Sequence, residues 1–243
     1  MSVSCTIEAR LDSSRLPGKS LYCLGGQPLI EYAISAARES GVVDRVILCT
    51  TTRPADDLLV HFSKNLGVEC FRGSEEDVAG RVAAAVSEGS DTNIFLTGDN
   101  PFVTADLVAD SFRQFTQSNA DYFCTTHMKY CEWWEVPPAL PTGLSVQIAK
   151  TRFFLEAERD TSTNDPIRVH STMVMYKNRI PNQKYQAYCL ADELTELCNI
   201  DQRYTIDTPA DYIWAQRLLL STARRNLREI LKAGTLTTAA SSP

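Results

Sequence analysis

The sequence predicts an α/β protein of three layers, α/β/α, with helices on both faces of a mostly parallel, mixed sheet. Three observations lead there. Short apolar runs alternate with stretches of helical period through the first half of the chain. One run, RVILCT at 45–50, is β-rich without alternation, as suits a strand buried on both faces. The resulting βαβαβαβα order brings successive strands back in parallel. In chain order, residues 2–9 place Val3, Cys5 and Ile7 at period two, the mark of a strand. Residues 29–40 put Ile30, Ala33, Ile34 and Ala37 on one helical stripe, and Gly41 ends it. After the strand at 45–50 come a helix over 56–65, a strand over 67–71 and a helix over 77–87. NIFLT at 93–97 is the next strand. Thr104 then caps a helix with Leu107, Val108, Phe112 and Phe115 facing inward.

From about residue 120 the rhythm changes. DYFCTT, LSVQIA and TMVMY (172–176) read as strands, with the irregular aromatic stretch KYCEWWEVPPALPTG among them. Thr208-Pro209-Ala210-Asp211 opens a helix, with Thr as cap, Pro in the first helical position and an acid two residues on. That helix carries Trp214, Leu218 and Leu219 and is expected to run into ARRNLREILKA; TLTTAASSP reads as a frayed tail. No repeat or Gly/Ser linker interrupts the chain. The expected organisation is one domain over 1–220, with a small inserted substructure around 120–180, then a helical extension and tail over 221–243.

The chain has 243 residues, 44% hydrophobic and 22% charged, which excludes a disordered polypeptide. At this size roughly three quarters of the unfolded surface is buried on folding, so no metal or disulfide staple is needed. No apolar run approaches a membrane span, and MSVSCTIEAR lacks a basic-then-apolar leader pattern; neither a membrane nor a secretory route is expected, and the cytoplasm is the expected address. A net charge of −6 argues against general nucleic-acid binding. The eight cysteines contain no C-x-x-C pair and read as small buried hydrophobes in a reducing compartment. With three histidines, His61, His127 and His170, a multi-histidine metal centre is not expected.

In open parallel sheets ligands gather beyond the carboxyl ends of the strands. Beyond the first strand, Ala9-Arg10-Leu11-Asp12-Ser13-Ser14-Arg15-Leu16-Pro17-Gly18-Lys19-Ser20 places three cations within ten residues, among small residues whose backbone N–H groups can line a concave turn. A polyphosphate requires both; a solvated loop is the alternative. Gly18-Lys19-Ser20 is not a P-loop ending, because Ser13 stands where its first glycine belongs, and G-x-G-x-x-G is absent. Asp99 follows the strand NIFLT within a Gly98–Pro101 turn, and Asp207 ends the run Arg203-Tyr204-Thr205-Ile206. Two strand-end carboxylates, distant in sequence, suit a nucleotide-bound Mg²⁺, which takes only one or two protein oxygens. The alternatives are a turn cap for Asp99 and a helix cap for Asp207.

The segment from Ile7-Glu8-Ala9-Arg10 to Arg15-Leu16-Pro17-Gly18-Lys19 resembles the ARxxSTRLPGK signature of cytidylyltransferases that make CMP-activated sugar acids. The likeness is to the spore-coat polysaccharide branch, related to CMP-3-deoxy-manno-octulosonate and CMP-acylneuraminate synthetases. It continues in register through residues 71–78 (FRGSEEDV), 96–101 (LTGDNP), 141–146 (PTGLSV), 169–172 (VHST) and 203–211 (RYTIDTPAD), spanning about 2 to 215. The resemblance implies a nucleotide-diphospho-sugar-transferase-like fold, usually a homodimer, that uses CTP and Mg²⁺ to make a CMP conjugate of a small anionic acceptor. It implies that Arg10, Arg15, Lys19, Ala9 and the backbone of Ser13 and Ser14 hold the triphosphate, and that Asp99 and Asp207 hold Mg²⁺. Arg10, Lys19, Asp99 and Asp207 are then the catalytic set. Arg72, Ser74 and Asp77, with Arg81 nearby, are the implied cytosine or ribose contacts, a structural Arg72–Asp77 pair being the alternative. Thr142, Gly143 and His170 fall on the implied acceptor side, where His170 is alternatively a structural histidine.

The departures from the family pattern are Asp12, in place of a small residue, and Thr142 and Ser145, in place of two carboxylates, with Trp133 and Trp134 just before them. They suggest an acceptor pocket of its own, open to a small phosphonate or other non-sugar acid. They also supply the argument for a non-catalytic scaffold on the same fold. A glycosyltransferase would ordinarily show a D-x-D pair where Gly98-Asp99-Asn100-Pro101 offers one acid.

Overall fold

In the computed structural model, residues 1–86, 89–126, 131, 133, 139–221 and 226–239 are described. The chain opens with β1 (Val3–Glu8), then a 3₁₀ turn (Lys19–Leu21) and a small hairpin of β2 (Cys23–Leu24) and β3 (Gln27–Pro28), which leads into α1 (Leu29–Glu39). β4 (Arg45–Thr51), a 3₁₀ turn (Pro54–Asp56), α2 (Asp57–Asn65), β5 (Glu69–Gly73), α3 (Val78–Val86), β6 (Thr92–Thr97) and α4 (Ala105–Ser118) complete the alternating half. The second half comprises β7 (Tyr122–Cys124), β8 (Gln147–Lys150), α5 (Thr151–Asp160), a 3₁₀ turn (Pro166–Val169), α6 (Met173–Tyr176), β9 (Tyr185–Ala187), α7 (Asp192–Thr195), α8 (Pro209–Ser221) and α9 (Leu227–Ala239).

The main sheet runs β5-β4-β1-β6-β8-β7-β9. β8 is antiparallel to both its neighbours, and every other pairing is parallel. From β1 the chain first builds outward through β4 and β5, then returns to lay β6 on the opposite side of β1. That reversal opens a crevice beyond the carboxyl ends of β1 and β6, where ligands bind in such sheets. β1 shows both layers at once. Cys5 and Ile7 join the core formed with α1, α4, α8 and α9, which includes Ile34, Leu107, Leu218 and Ile230. The opposite face, towards α3, α5 and α6, carries a polar stripe. Ser4 donates to Asn93 Oδ1 at 2.7 Å, Asn93 donates to Thr6 Oγ1 at 2.9 Å, and the stripe ends at Glu8, level with Thr97 of β6. Because Asn93 satisfies Ser4 and Thr6, the buried polar groups cost little; Glu8 has no such neighbour on the sheet.

The structure corrects the sequence reading at several points. TMVMY forms the helix α6, not a strand: its run of four buried residues, 173–176, fits either element, and packing on α5 decides. The C-terminal segment is two helices, and α9 continues through TLTTA instead of fraying. Leu227, Ile230 and Leu231 anchor α9 in the core, outweighing the poor helix propensity of Gly234 and the threonines. Of the eight cysteines, all free thiols, Cys23 and Cys189 are exposed, against the expectation of burial. Trp134 and His127 lie outside the described residues. The helix start at 208–211 is as expected: Asp211 N–H donates to Thr208 Oγ1 at 3.2 Å while Asp211 accepts from Thr208 N–H at 2.8 Å, a reciprocal cap. Among the described residues, no helix is long and apolar enough to cross a membrane.

Candidate active site

Two adjoining cavities, of about 670 and 510 Å³, open at the carboxyl ends of β1 and β6. They share a wall of Glu8, Arg15, Thr97, Asp99, His170 and Asp207. The basic loop lines the first cavity with Ala9, Arg10, Ser13, Ser14, Arg15 and Lys19; Thr142, Gly143 and Ser145 line the second. Residues read from three distant stretches of sequence therefore meet in one cleft.

Local chemistry shapes the loop. Leu11 N–H donates to buried Asp56 at 2.7 Å, and Gly18 N–H returns to the Leu11 carbonyl at 2.7 Å, closing residues 11–18 into a ring. The 3₁₀ turn that follows directs Lys19 inward, where it is only 8% exposed. Its ammonium donates to Asp99 Oδ2 at 2.7 Å, to Asp207 Oδ1 at 2.9 Å and to the Ile206 carbonyl at 2.9 Å. Asp99 reaches that point because Gly98 lies tight against β1, its N–H on the Glu8 carbonyl at 2.9 Å; a Cβ there would meet Ala9 Cβ at 3.1 Å. Asp207 arrives on an extended run held on both sides. Tyr204 N–H donates to the Thr142 carbonyl at 2.8 Å, and Ile206 N–H to the Asp99 carbonyl at 2.9 Å. Gly143 permits that docking: at φ +99°, an added Cβ would stand 2.3 Å from Thr205 N.

Three cations converge on Asp207. Arg15 pairs at 2.9 Å, Lys19 at 2.9 Å, and Arg203 also donates to it. Burial alone would push the Asp207 carboxyl up; the Lys19 hydrogen bond and the charges of Lys19, Arg203 and Arg15 outweigh it and hold the group below the usual carboxylate range. Arg10 pairs with Glu75 at 2.7 Å on the rim of the first cavity. Asp12, which the sequence placed near the triphosphate loop, pairs with Arg53 at 2.6 Å and does not line the cavity.

The base contacts implied by the resemblance are not placed as expected. Arg72, Ser74 and Asp77 do not line either cavity; Glu75, Glu76, Val78 and Arg81 do, on the first. Arg72 spans back to the end of β4, donating to the carbonyls of Thr51 and Arg53, each at 2.8 Å, and to Asp57 at 2.6 Å. Asp77 pairs not with Arg72 but with buried Arg168, through two bonds of 2.9 Å. Burial raises the Asp77 carboxyl, yet Arg168 and the Gly80 N–H lower it by more. Arg168, 91 residues away in sequence, gave no local signal. Trp133 also stands clear of the second cavity, its ring 4.8 Å from that of Tyr185 and its indole N–H on the Tyr176 carbonyl at 3.0 Å.

Two site residues escaped the sequence reading. Arg203 stood within the resembling 203–211 segment but was given no role there. Glu8 was the sharper signal, a lone acid ending an otherwise uncharged strand. Its carboxylate accepts from the Ser171 hydroxyl and faces both cavities. Desolvation raises its pKa, the Ser171 bond and Arg81 oppose that rise, and Asp99 reinforces it.

A cytidylyltransferase family model matches residues 4–234. The chain is 28% identical over 212 residues to the spore coat polysaccharide biosynthesis protein SpsF of Bacillus subtilis, covering 85% of this chain and 81% of SpsF. Its fold matches a cytidylyltransferase from Leptospira borgpetersenii with a TM-score of 0.81, at 22% identity over 99% of this chain and 96% of the other. It also matches a CMP:2-keto-3-deoxy-manno-octonic acid synthetase complexed with CTP, with a TM-score of 0.63, at 15% identity over 90% and 99% of the two chains. With the family model spanning nearly the whole chain and the basic loop and two strand-end acids meeting in one cleft, the protein belongs to the cytidylyltransferase family and is a nucleotidyltransferase.

Proposed function

We propose that the protein transfers a cytidylyl group from CTP to a small, polyhydroxylated acid, a sugar acid being the expected acceptor, with release of pyrophosphate. The observation that carries the reading is the shared wall. A phosphate chain in the first cavity and an acceptor in the second meet beside Asp99 and Asp207. Arg10, Arg15, Lys19 and the 13–14 backbone would neutralise the triphosphate and the leaving pyrophosphate. Hydroxyl and amide groups of Thr142, Ser145 and Gln147 line the second cavity and match a polyol, while Arg15, Arg203 and His170 offer an acid group its partners.

Asp99 and Asp207 fit Mg²⁺ because both already aim an oxygen at one cation, the Lys19 ammonium. Nucleotide phosphates and water would supply the remaining ligands, since the described residues hold no cluster of three or more ligating side chains. Bound there, the ion would neutralise charge developing on the phosphate under attack. The departures at 12, 142 and 145 give the scaffold reading no support: Asp12 is neutralised by Arg53, and Thr142 and Ser145 leave the cleft open.

The test is pyrophosphate release from CTP with Mg²⁺ across a panel of sugar acids and phosphonates. Asp207→Asn and Asp99→Asn should each lower kcat about 10²- to 10⁴-fold. Wild-type rates in both variants would end the metal assignment, and release with no acid acceptor would end the substrate class.

A further inference from the structure

Glu8 is the unexplained group of the cleft. It lines both cavities, so it borders the place where donor and acceptor must touch. Each other acid on the shared wall is already engaged: Asp99 by Lys19 and the Thr97 hydroxyl, Asp207 by three cations. Glu8 Oε1 accepts from Ser171, while Oε2 takes no hydrogen bond from any described residue. Glu8 is half-buried, and a carboxylate oxygen that faces a substrate cavity is placed to accept a hydrogen bond from a bound group. Around it stand Arg81 of α3, which donates to the Ser74 carbonyl, Asp99 at the end of β6, and His170 beside Ser171.

Resting on the acceptor site assigned above, we propose that Glu8 is a specificity-determining residue that accepts a hydrogen bond from a hydroxyl or ammonium group beside the attacking oxygen of the acceptor. The charge distribution favours one orientation of the acceptor. An acid group next to Glu8 and Asp99 meets like charge, whereas Arg15 and Arg203, 59% and 45% exposed, line the second cavity beside Asp207. The acceptor therefore turns its acid group to the arginines and its donor group to Glu8, and a competitor without that donor displaces water from the carboxylate and gives no hydrogen bond in return. Sites built around a buried polar group discriminate strongly against analogues lacking the partner.

The experiment is a ligand–protein double-mutant cycle. Pyrophosphate release is measured with CTP, Mg²⁺ and the best wild-type acceptor of the panel, then with its deoxy analogues, each lacking one hydroxyl, for wild type, Glu8→Gln and Glu8→Ala. Glu8→Ala should lower kcat/KM for the parent acceptor about 10- to 100-fold while the KM for CTP stays within about threefold. One deoxy analogue should lose a similar factor with wild type and nothing further with Glu8→Ala. Glu8→Gln, which keeps an acceptor oxygen and the Ser171 bond, should fall between the two. A uniform loss across parent and all analogues would show a merely structural role and overturn the proposal, as would a parent kcat/KM unchanged in both variants. If wild type turns over no member of the panel, the acceptor assignment falls and this inference with it; if wild type turns over and the cycle shows no coupling, only the role of Glu8 falls.

Discussion

Replacing Lys19 by Met tests whether the two strand-end acids form a cation site at all. Met keeps an apolar stem of similar length and removes the charge that joins Asp99 to Asp207. Asp207 retains Arg15 and Arg203, but Asp99 loses its cation, and the Ile206 carbonyl loses its donor. Removing one partner of a buried ion pair costs about 3–5 kcal/mol. The Asp99 side chain is 26% exposed, which lowers the expectation to about 2–3 kcal/mol. Unfolding entropy of about 2.1 cal/mol/K per residue over 243 residues turns that into a fall in Tm of about 4–6 °C. The informative arm adds Mg²⁺. On the proposed assignment the ion would compete with an ammonium for the same two oxygens in wild type, and would not in Lys19→Met. A tenfold gain in Mg²⁺ affinity would add about 1.4 kcal/mol, or about 3 °C, to the metal-induced rise in Tm. Differential scanning fluorimetry with Mg²⁺ titrated from zero to 10 mM would read it, using Lys19→Met/Asp207→Asn as the control that abolishes the gain. An equal Mg²⁺ response in wild type and Lys19→Met would refute the reasoning, because it would place any bound ion elsewhere.

Three further outcomes follow from the geometry. Arg72→Ala should leave the KM for CTP within about threefold and lower Tm by about 2–4 °C, since its guanidinium ties the 51–57 segment together and touches neither cavity; a tenfold rise in KM, measured by steady-state kinetics, would restore it as a base contact. Gly143→Ala must fit a Cβ 2.3 Å from Thr205 N and 2.4 Å from Tyr204 C, both backbone atoms, at φ +99°, and should cost about 3 kcal/mol or more; a Tm within 2 °C of wild type in thermal denaturation would contradict the close docking of residues 142–143 on the Asp207 run. Glu8 gives a pH signature: its pKa in the fold lies above the ordinary 4.5, so its burial is tolerated while the group is neutral and opposes folding increasingly as pH rises through the raised value. Glu8→Gln should therefore melt above wild type at pH 8 and close to it at pH 4, and the same difference at both pH values would refute the assignment.

What the sequence revealed and what it hid divide along a physical line. Strands 1, 4 and 6 and helices 1, 3 and 4 were legible because each carries its own periodicity or terminator, as with the Ile30–Ala37 stripe and Gly41. The basic loop, Asp99 and Asp207 were legible because a sheet of parallel strands places loop chemistry at one edge, so strand-end positions could be assigned to a common cleft without coordinates. The partners of those residues were not. Asp77 pairs with Arg168 and Asp12 with Arg53 across 91 and 41 positions, and no local spacing encodes an ion pair that forms between elements. α6 and the end of α9 were misread for a related reason. Four consecutive buried residues carry no period, and the conformation of TLTTA follows from what α9 packs against, not from its own propensities.

The charge pattern of the cleft explains why a protein with a net charge of −6 can bind a polyanion. In the structure described, the cations are not waiting free in solvent: Arg10 rests on Glu75, Lys19 bridges Asp99 and Asp207, and Arg15 and Arg203 rest on Asp207. On the proposed assignment, binding of a metal–nucleotide would be an exchange. The divalent ion would take over the two aspartates, and each displaced cation would turn to a phosphate or to the acceptor's acid group, so no charge need be left unpaired at any stage. Such an exchange binds the bare nucleotide weakly, because without the metal a triphosphate must compete with Asp207 for its cations while Asp207 gains nothing in return. Donor binding should accordingly depend steeply on Mg²⁺, and that dependence should disappear in Asp207→Asn, where the arginines are already released. Calorimetric titration of CTP with and without Mg²⁺ separates the two cases: an equal affinity in both conditions for the wild-type protein would mean that the aspartates and the cations act independently, and the cleft would then not work by exchange.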